Sequence, residues 1–153
     1  MASVLRDVVE ADLVAFYEQQ RDPEAAQMAL FPAREREAFE AHWRRLLAND
    51  ALTKKTIVHD GEVAGNVLCW EQDGQRLVGY WLGREFWGKG LATRALRELV
   101  EHVPARPLHA WVAKTNLGSV RVLEKCGFVP VDSRADHDAR LGVVVEEVLF
   151  ELA

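Results

Sequence analysis

The chain has 153 residues, of which 49% are hydrophobic and 28% charged, and a formal net charge of -5 at pH 7. That length and mix predict one soluble α/β domain large enough for a substantial core. An acidic balance without any Lys/Arg run argues against a nucleic-acid-binding face and suits a cationic partner.

In chain order, Asp12–Gln20 carries Leu13, Phe16 and Tyr17 at helical spacing, and Asp22-Pro23 stops it. After a loop around Phe31-Pro32, Glu35–Leu47 repeats the pattern with Phe39, Trp43, Leu46 and Leu47 on one stripe, and Asn49-Asp50 ends it. Both helices read as amphipathic cover for a sheet. Three strands follow: Lys55–His59, Glu62–Glu71 and Arg76–Leu82. Asp60-Gly61 and Asp73-Gly74 separate them, pairs suited to two-residue turns that need positive φ.

From Gly90 a helix presents Leu91, Ala95, Leu96, Leu99, Val100 and Val103 as an apolar face, with Arg94, Arg97, Glu98 and Glu101 outward. Leu108–Ala113 is then a strand, so strand–helix–strand implies a parallel crossover and a mixed sheet whose strands can splay into a slot. Asn116 starts a last helix, which Gly127 ends as a left-handed cap with Phe128 closing over it. Val129–Val131 and Val143–Leu152 read as strands, joined by a polar loop from Asp132 to Gly142.

The chemistry concentrates where the third strand ends. Trp87-Gly88-Lys89-Gly90-Leu91-Ala92-Thr93 loses its side chains at Gly88 and Gly90 and then starts a helix. Such a loop lets backbone approach a ligand, and the helix N-terminus aims unpaired N–H groups at it, which makes a cradle for phosphate. A P-loop would need Ser or Thr after Lys89, where Gly90 stands. A dinucleotide fingerprint would need its last small residue one place later than Ala92. A purely structural glycine turn is the plain alternative.

The remaining pattern, Gln/Arg-x-x-Gly-x-Gly/Ala, fits Gly90 and Ala92. A second block, Thr115-Asn116-Leu117-Gly118-Ser119 through Leu123-Glu124-Lys125-Cys126-Gly127-Phe128, follows at the right distance. Together they resemble the GNAT superfamily of N-acetyltransferases, and the Leu-Glu-Lys-x-Gly-Phe ending looks most like its RimJ/RimL-type branch. The resemblance implies an acetyl-CoA-dependent transferase with a GNAT-type fold, helices on both sheet faces, and a primary amine as acceptor. It implies that backbone from Trp87 through Gly88, Lys89, Gly90, Leu91 and Ala92 holds the pyrophosphate, with the Thr93 hydroxyl beside it. The Tyr80–Leu82 edge would pair with the pantetheine. An N–H near Leu82 would polarise the thioester, Asn116 would touch the pantetheine, and Ser119 would face the sulfur as acid.

Two positions depart from the pattern. Trp87 stands where most members have Gln or Arg. Leu123 replaces the tyrosine that many use to protonate the leaving thiolate. These departures sustain a rival expectation, a coenzyme A-binding sensor without turnover.

Other polar residues have two readings. Ser119 is an acid or a small helix residue; His109 is a base on the slot or a satisfied buried histidine. Tyr80 and Trp81 alternate along a strand, so one should line the acceptor pocket and the other pack inward. Glu71 and Glu85 read as solvated carboxylates, and Asp136-His137-Asp138 as loop rather than metal site. Cys69 and Cys126 lack metal spacing and read as free thiols of a reducing compartment. Met1–Leu5 has neither a charged nor an apolar leader pattern, and no stretch has membrane-spanning length. The expectation is therefore a cytoplasmic monomer or homodimer using no metal, nucleic acid or membrane.

Overall fold

Two left-handed aspartate–glycine pairs set up the sheet. Asp60 and Gly61 have φ of 51° and 77°, Asp73 and Gly74 of 52° and 78°, the turn geometry whose twist matches paired strands. They join β2 (Thr53–His59), β3 (Glu62–Gln72) and β4 (Gln75–Leu82) into the expected antiparallel meander. The computed structural model describes residues 3–29, 33–138 and 142–153.

A short β1 (Leu5–Asp7) lies antiparallel on β2. On the other side β5 (Leu108–Ala113) runs parallel to β4, as the crossover requires. Then β7 (Val143–Leu152) and β6 (Val129–Asp138) continue antiparallel. Among the described residues the order is β1-β2-β3-β4-β5-β7-β6, a seven-stranded mixed sheet.

Helices cover both faces, each by an apolar stripe. On one face α4 (Leu91–His102) buries Leu91, Ala95, Leu96 and Leu99 in a cluster with Val67, Cys69, Val78 and Leu108. Beside it α5 (Leu117–Lys125) begins where Asn116 Oδ1 accepts the Ser119 N–H at 3.3 Å, a side-chain cap for an orphan donor. It ends at Gly127, φ 90°. There the Gly127 and Phe128 N–H groups return to the Glu124 and Leu123 carbonyls, and Phe128 is buried. On the opposite face, Phe16 of α1 (Leu13–Gln20) packs with Phe39 and Trp43 of α3 (Arg36–Ala48).

The N-terminal turn is anchored by Asp12, which is buried. Its carboxylate accepts both Arg6 guanidinium nitrogens at 2.7 and 2.8 Å, the Val9 N–H at 3.0 Å and the Thr56 hydroxyl at 2.7 Å. Burial alone would raise its pKa, but these four donors and the Arg6 charge outweigh that and hold it at about 2.

Three segments differ from the sequence reading. Pro23 ends one helix but also opens another, α2 (Pro23–Ala29), because the missing proline N–H is no loss at a first helical position. The three-residue β1 is too short to carry a period. The polar stretch expected as a loop from Asp132 to Gly142 is strand as far as Asp138; residues 139–141 lie outside the described part. As an edge strand, β6 has exposed residues, and cross-strand pairs such as Arg134–Glu147, at 2.9 Å, replace the apolar alternation. The Phe31-Pro32 loop also lies outside the described residues.

Candidate active site

β4 and β5 share a single bridged pair, Leu77 with His109, while β4 continues five residues further to Leu82. The two strands therefore separate. The Gly83 N–H donates to the Ala64 carbonyl at 2.8 Å. Strand alternation then turns the N–H and C=O of Leu82 and Tyr80 away from β3 and toward the gap.

The glycine loop stands at the mouth of this gap. A 3-10 turn, Arg84–Phe86, leads into Trp87; Gly88 and Gly90 then adopt φ of 76° and 75°, which a side chain would resist. A Cβ built on either glycine meets nothing within 4 Å, so the conformation, not crowding by protein, explains glycine here. Leu91 starts α4 at once, and its first N–H groups are the unpaired ones.

A cavity of about 470 Å³ opens before the loop, lined by Tyr80, Leu82, Trp87, Gly88, Gly90, Leu91, Ala92, Thr93, Asn116 and Ser119. These are the predicted site residues except Lys89, whose side chain is exposed. The wall also includes Ala25 and Met28 of α2, and Arg121 and Lys125 of α5. None of these four was among the residues expected at the site. The i, i+4 spacing of the two cations was the available signal.

A second cavity of about 450 Å³ lies across the slot, and the two share Tyr80, Trp81, Asn116 and Ser119. Tyr80 and Trp81 thus both border the two cavities, and of the two it is Tyr80 that also packs against the core under α4. The Tyr80 hydroxyl donates to Ser119 Oγ at 2.8 Å. Burial pushes the Tyr80 phenol up to about 12, against the smaller opposite pull of the Ser119 hydrogen bond. The phenol therefore stays protonated at neutral pH. Because Tyr80 donates, the Ser119 proton is available to a third atom.

Trp87 has a role its residue type did not suggest. Its indole Nε1 donates to the Leu82 carbonyl at 3.0 Å, tying the glycine loop to the end of β4. Leu123 is buried and lines the second cavity. His109 is buried, with Nε2 3.0 Å from the Glu151 carboxylate and Nδ1 without a hydrogen-bond partner; it lines neither of these two cavities. Glu71 pairs with Arg76 at 3.2 Å and Glu85 is exposed. Cys126 Sγ lies 3.6 Å from the Thr93 carbonyl, and burial raises its thiol pKa. Among the described residues no group of three or more His, Cys, Asp or Glu is placed to hold a metal. No described helix is long and apolar enough to cross a membrane.

Comparison with known proteins agrees with this geometry. An N-acetyltransferase of Bacillus licheniformis, p20, is 27% identical over 86 residues, 54% of this chain and 48% of that protein. The chain spans about half the length of the curated relatives it matches. Among solved structures, the fold is similar to spermidine N-acetyltransferase from Vibrio cholerae in complex with coenzyme A and spermine. That match has a TM-score of 0.83 and 16% identity over 97% of this chain and 93% of that one. It is similar also to RimL, a ribosomal alpha-N-protein acetyltransferase in complex with coenzyme A. Here the TM-score is 0.79 and identity 18% over 99% and 94% of the two chains. At such identities the structural likeness shows the fold alone. Residues 3–129 match the family model described as an acetyltransferase (GNAT) domain. With that match spanning the meander, the glycine loop and the Asn116–Ser119 turn, the chain belongs to the GNAT acetyltransferase family.

Proposed function

We propose that this protein transfers the acetyl group of acetyl-CoA to a primary amine, with both substrates in the slot together. The observation that carries the reading is the meeting of two cavities at Tyr80 and Ser119, one of them fronted by the glycine loop. Acetyl-CoA supplies an activated acyl group on a fair thiolate leaving group. The chain's own residues do the rest.

The backbone of Gly88 to Ala92 and the α4 N-terminus suit a pyrophosphate, with Arg121 and Lys125 on the wall as further positive charge. The Tyr80–Leu82 edge offers the pantetheine amides a strand to pair with. The Leu82 N–H, turned into the slot, donates to the carbonyl oxygen as it gains charge. The incoming amine forms the C–N bond as the C–S bond breaks, and its surplus proton leaves to water. Ser119 gives its hydroxyl proton to the departing sulfur, Tyr80 steadies the serine oxygen through its hydrogen bond, and water returns the proton shed by the amine to Ser119. Holding both reactants in line is the largest contribution; the hydroxyl adds on the order of 10²-fold.

The Leu-Glu-Lys-x-Gly-Phe ending and the RimL-like fold support placing the chain near the RimJ/RimL branch. The sensor reading rests on Leu123, which has no proton to give; Tyr80 with Ser119 answers that deficiency. Thiol release from acetyl-CoA in the presence of an amine panel separates the two. Release that depends on amine supports transfer, whereas stabilisation by coenzyme A without release supports the sensor.

A further inference from the structure

The second cavity carries information about which amine enters it. Its walls include three tryptophans, Trp70, Trp81 and Trp111. Trp70 lies against β4 where Gly79 has no side chain: a Cβ there would meet the indole at 3.2 Å. Trp111 is covered on one side by the Arg134 guanidinium, 3.9 Å from the ring centroid. Arg134 is itself spent on Glu147, with Nε and Nη2 each 2.9 Å from one carboxylate oxygen. The Trp70 indole N–H already donates to Gln72 at 3.2 Å.

We infer that the acceptor is a primary amine carried on a flat aromatic body, an arylalkylamine, with the ring against Trp70 and Trp111 and the amine at Ser119. This rests on the acetyltransferase reading and narrows it. A polyamine needs carboxylates spaced along its path, but of the two on this wall Glu147 is neutralised by Arg134, which leaves Asp73 of the β3–β4 turn alone. A peptide N-terminus needs partners for its amides, and burying amides without them is unfavourable. On this wall Trp70 is already paired with Gln72, Tyr80 with Ser119 and Arg134 with Glu147. Indole faces instead reward an aromatic ring by stacking as well as by area. A volume of about 450 Å³ suits a small molecule.

The test compares tryptamine, phenethylamine, spermidine and an alanyl-terminated peptide as acceptors, by thiol release and by calorimetric titration into coenzyme A-saturated protein. The expected result is kcat/KM at least ~10-fold higher for the two arylalkylamines. Trp111→Ala should raise the tryptamine KM by ~10-fold and leave the acetyl-CoA KM unchanged, and Trp111→Phe should restore most of the loss. Thermal stabilisation by acetyl-CoA serves as the check that each variant is folded, and Trp70→Ala supplies a second variant. Higher kcat/KM for spermidine or the peptide would overturn the arylalkylamine assignment while leaving acetyl transfer standing. A tryptamine KM unmoved by both tryptophan variants would overturn it too. No thiol release with any amine, despite coenzyme A binding, would overturn the transferase reading itself.

Discussion

The Tyr80 hydroxyl, on β4, donates to Ser119 Oγ, on α5, across 2.8 Å and 39 positions of sequence. The pair stands where the two cavities meet, and the direction of the bond leaves the serine proton to be given elsewhere. Ser119→Ala should therefore lower kcat by ~10-fold or more with little change in acetyl-CoA affinity. Tyr80→Phe should lower kcat by a smaller factor, ~3- to 10-fold, the worth of one hydrogen bond. Steady-state kinetics on both variants checks this; unchanged kcat in Ser119→Ala would return Ser119 to the role of a helix residue.

The same pair makes a statement about pH. With its folded pKa raised to about 12, Tyr80 keeps its proton throughout the range in which the protein can be assayed. The rate should climb with pH as the acceptor amine loses its proton and should show no alkaline fall up to about pH 10. A wild-type pH–rate profile with a descending limb below that point would contradict the assignment.

Trp87 stands where the resemblance puts Gln or Arg, and its indole pins the loop to the Leu82 carbonyl at 3.0 Å. Trp87→Phe keeps the apolar contact and removes only the indole donor. The expected consequence is a ~3- to 10-fold rise in the acetyl-CoA KM, because the loop and the strand edge lose their fixed spacing. Equal KM values would mean the hydrogen bond has no part in presenting the loop.

Asp12 gives a stability prediction independent of the site. Its pKa falls from 3.8 to about 2 on folding, so its contribution is present above 3.8 and is lost as pH falls toward 2. At neutral pH that contribution is about 2 kcal/mol at most. Asp12→Asn should melt several degrees lower than wild type at pH 7, and the gap should close by pH 2. A gap that stays constant across this window would show that the carboxylate's charge does not matter.

Where a local rule governed the backbone, the sequence was legible. The two Asp-Gly turns predict the meander, and Gly127-Phe128 predicts the end of α5. The glycine loop is readable for the same reason, since positive φ at Gly88 and Gly90 is a property of the chain itself. What was not legible depends on partners distant in sequence. The Asp132–Asp138 strand looks like loop until Glu147 and its neighbours pair with it. The second function of Pro23 shows only once α2 is seen against the cavity. Trp87 reads as a defect until the Leu82 carbonyl appears beside its indole, and Tyr80 reads as a wall residue until Ser119 is placed next to it.

The proposed donor site for acetyl-CoA is the space before Gly88 and Gly90. Thermal denaturation of wild type and Gly90→Trp, each with and without acetyl-CoA, tests it most directly. A Cβ at Gly90 meets no protein atom, so the indole should fill the ligand's space, and the strained φ should cost about 1–2 kcal/mol without unfolding the domain. Acetyl-CoA at 100 times its Kd should stabilise wild type by about 2.7 kcal/mol, a rise of several degrees, and leave the folded variant unmoved. No rise in wild type, or an equal rise in Gly90→Trp, would contradict it.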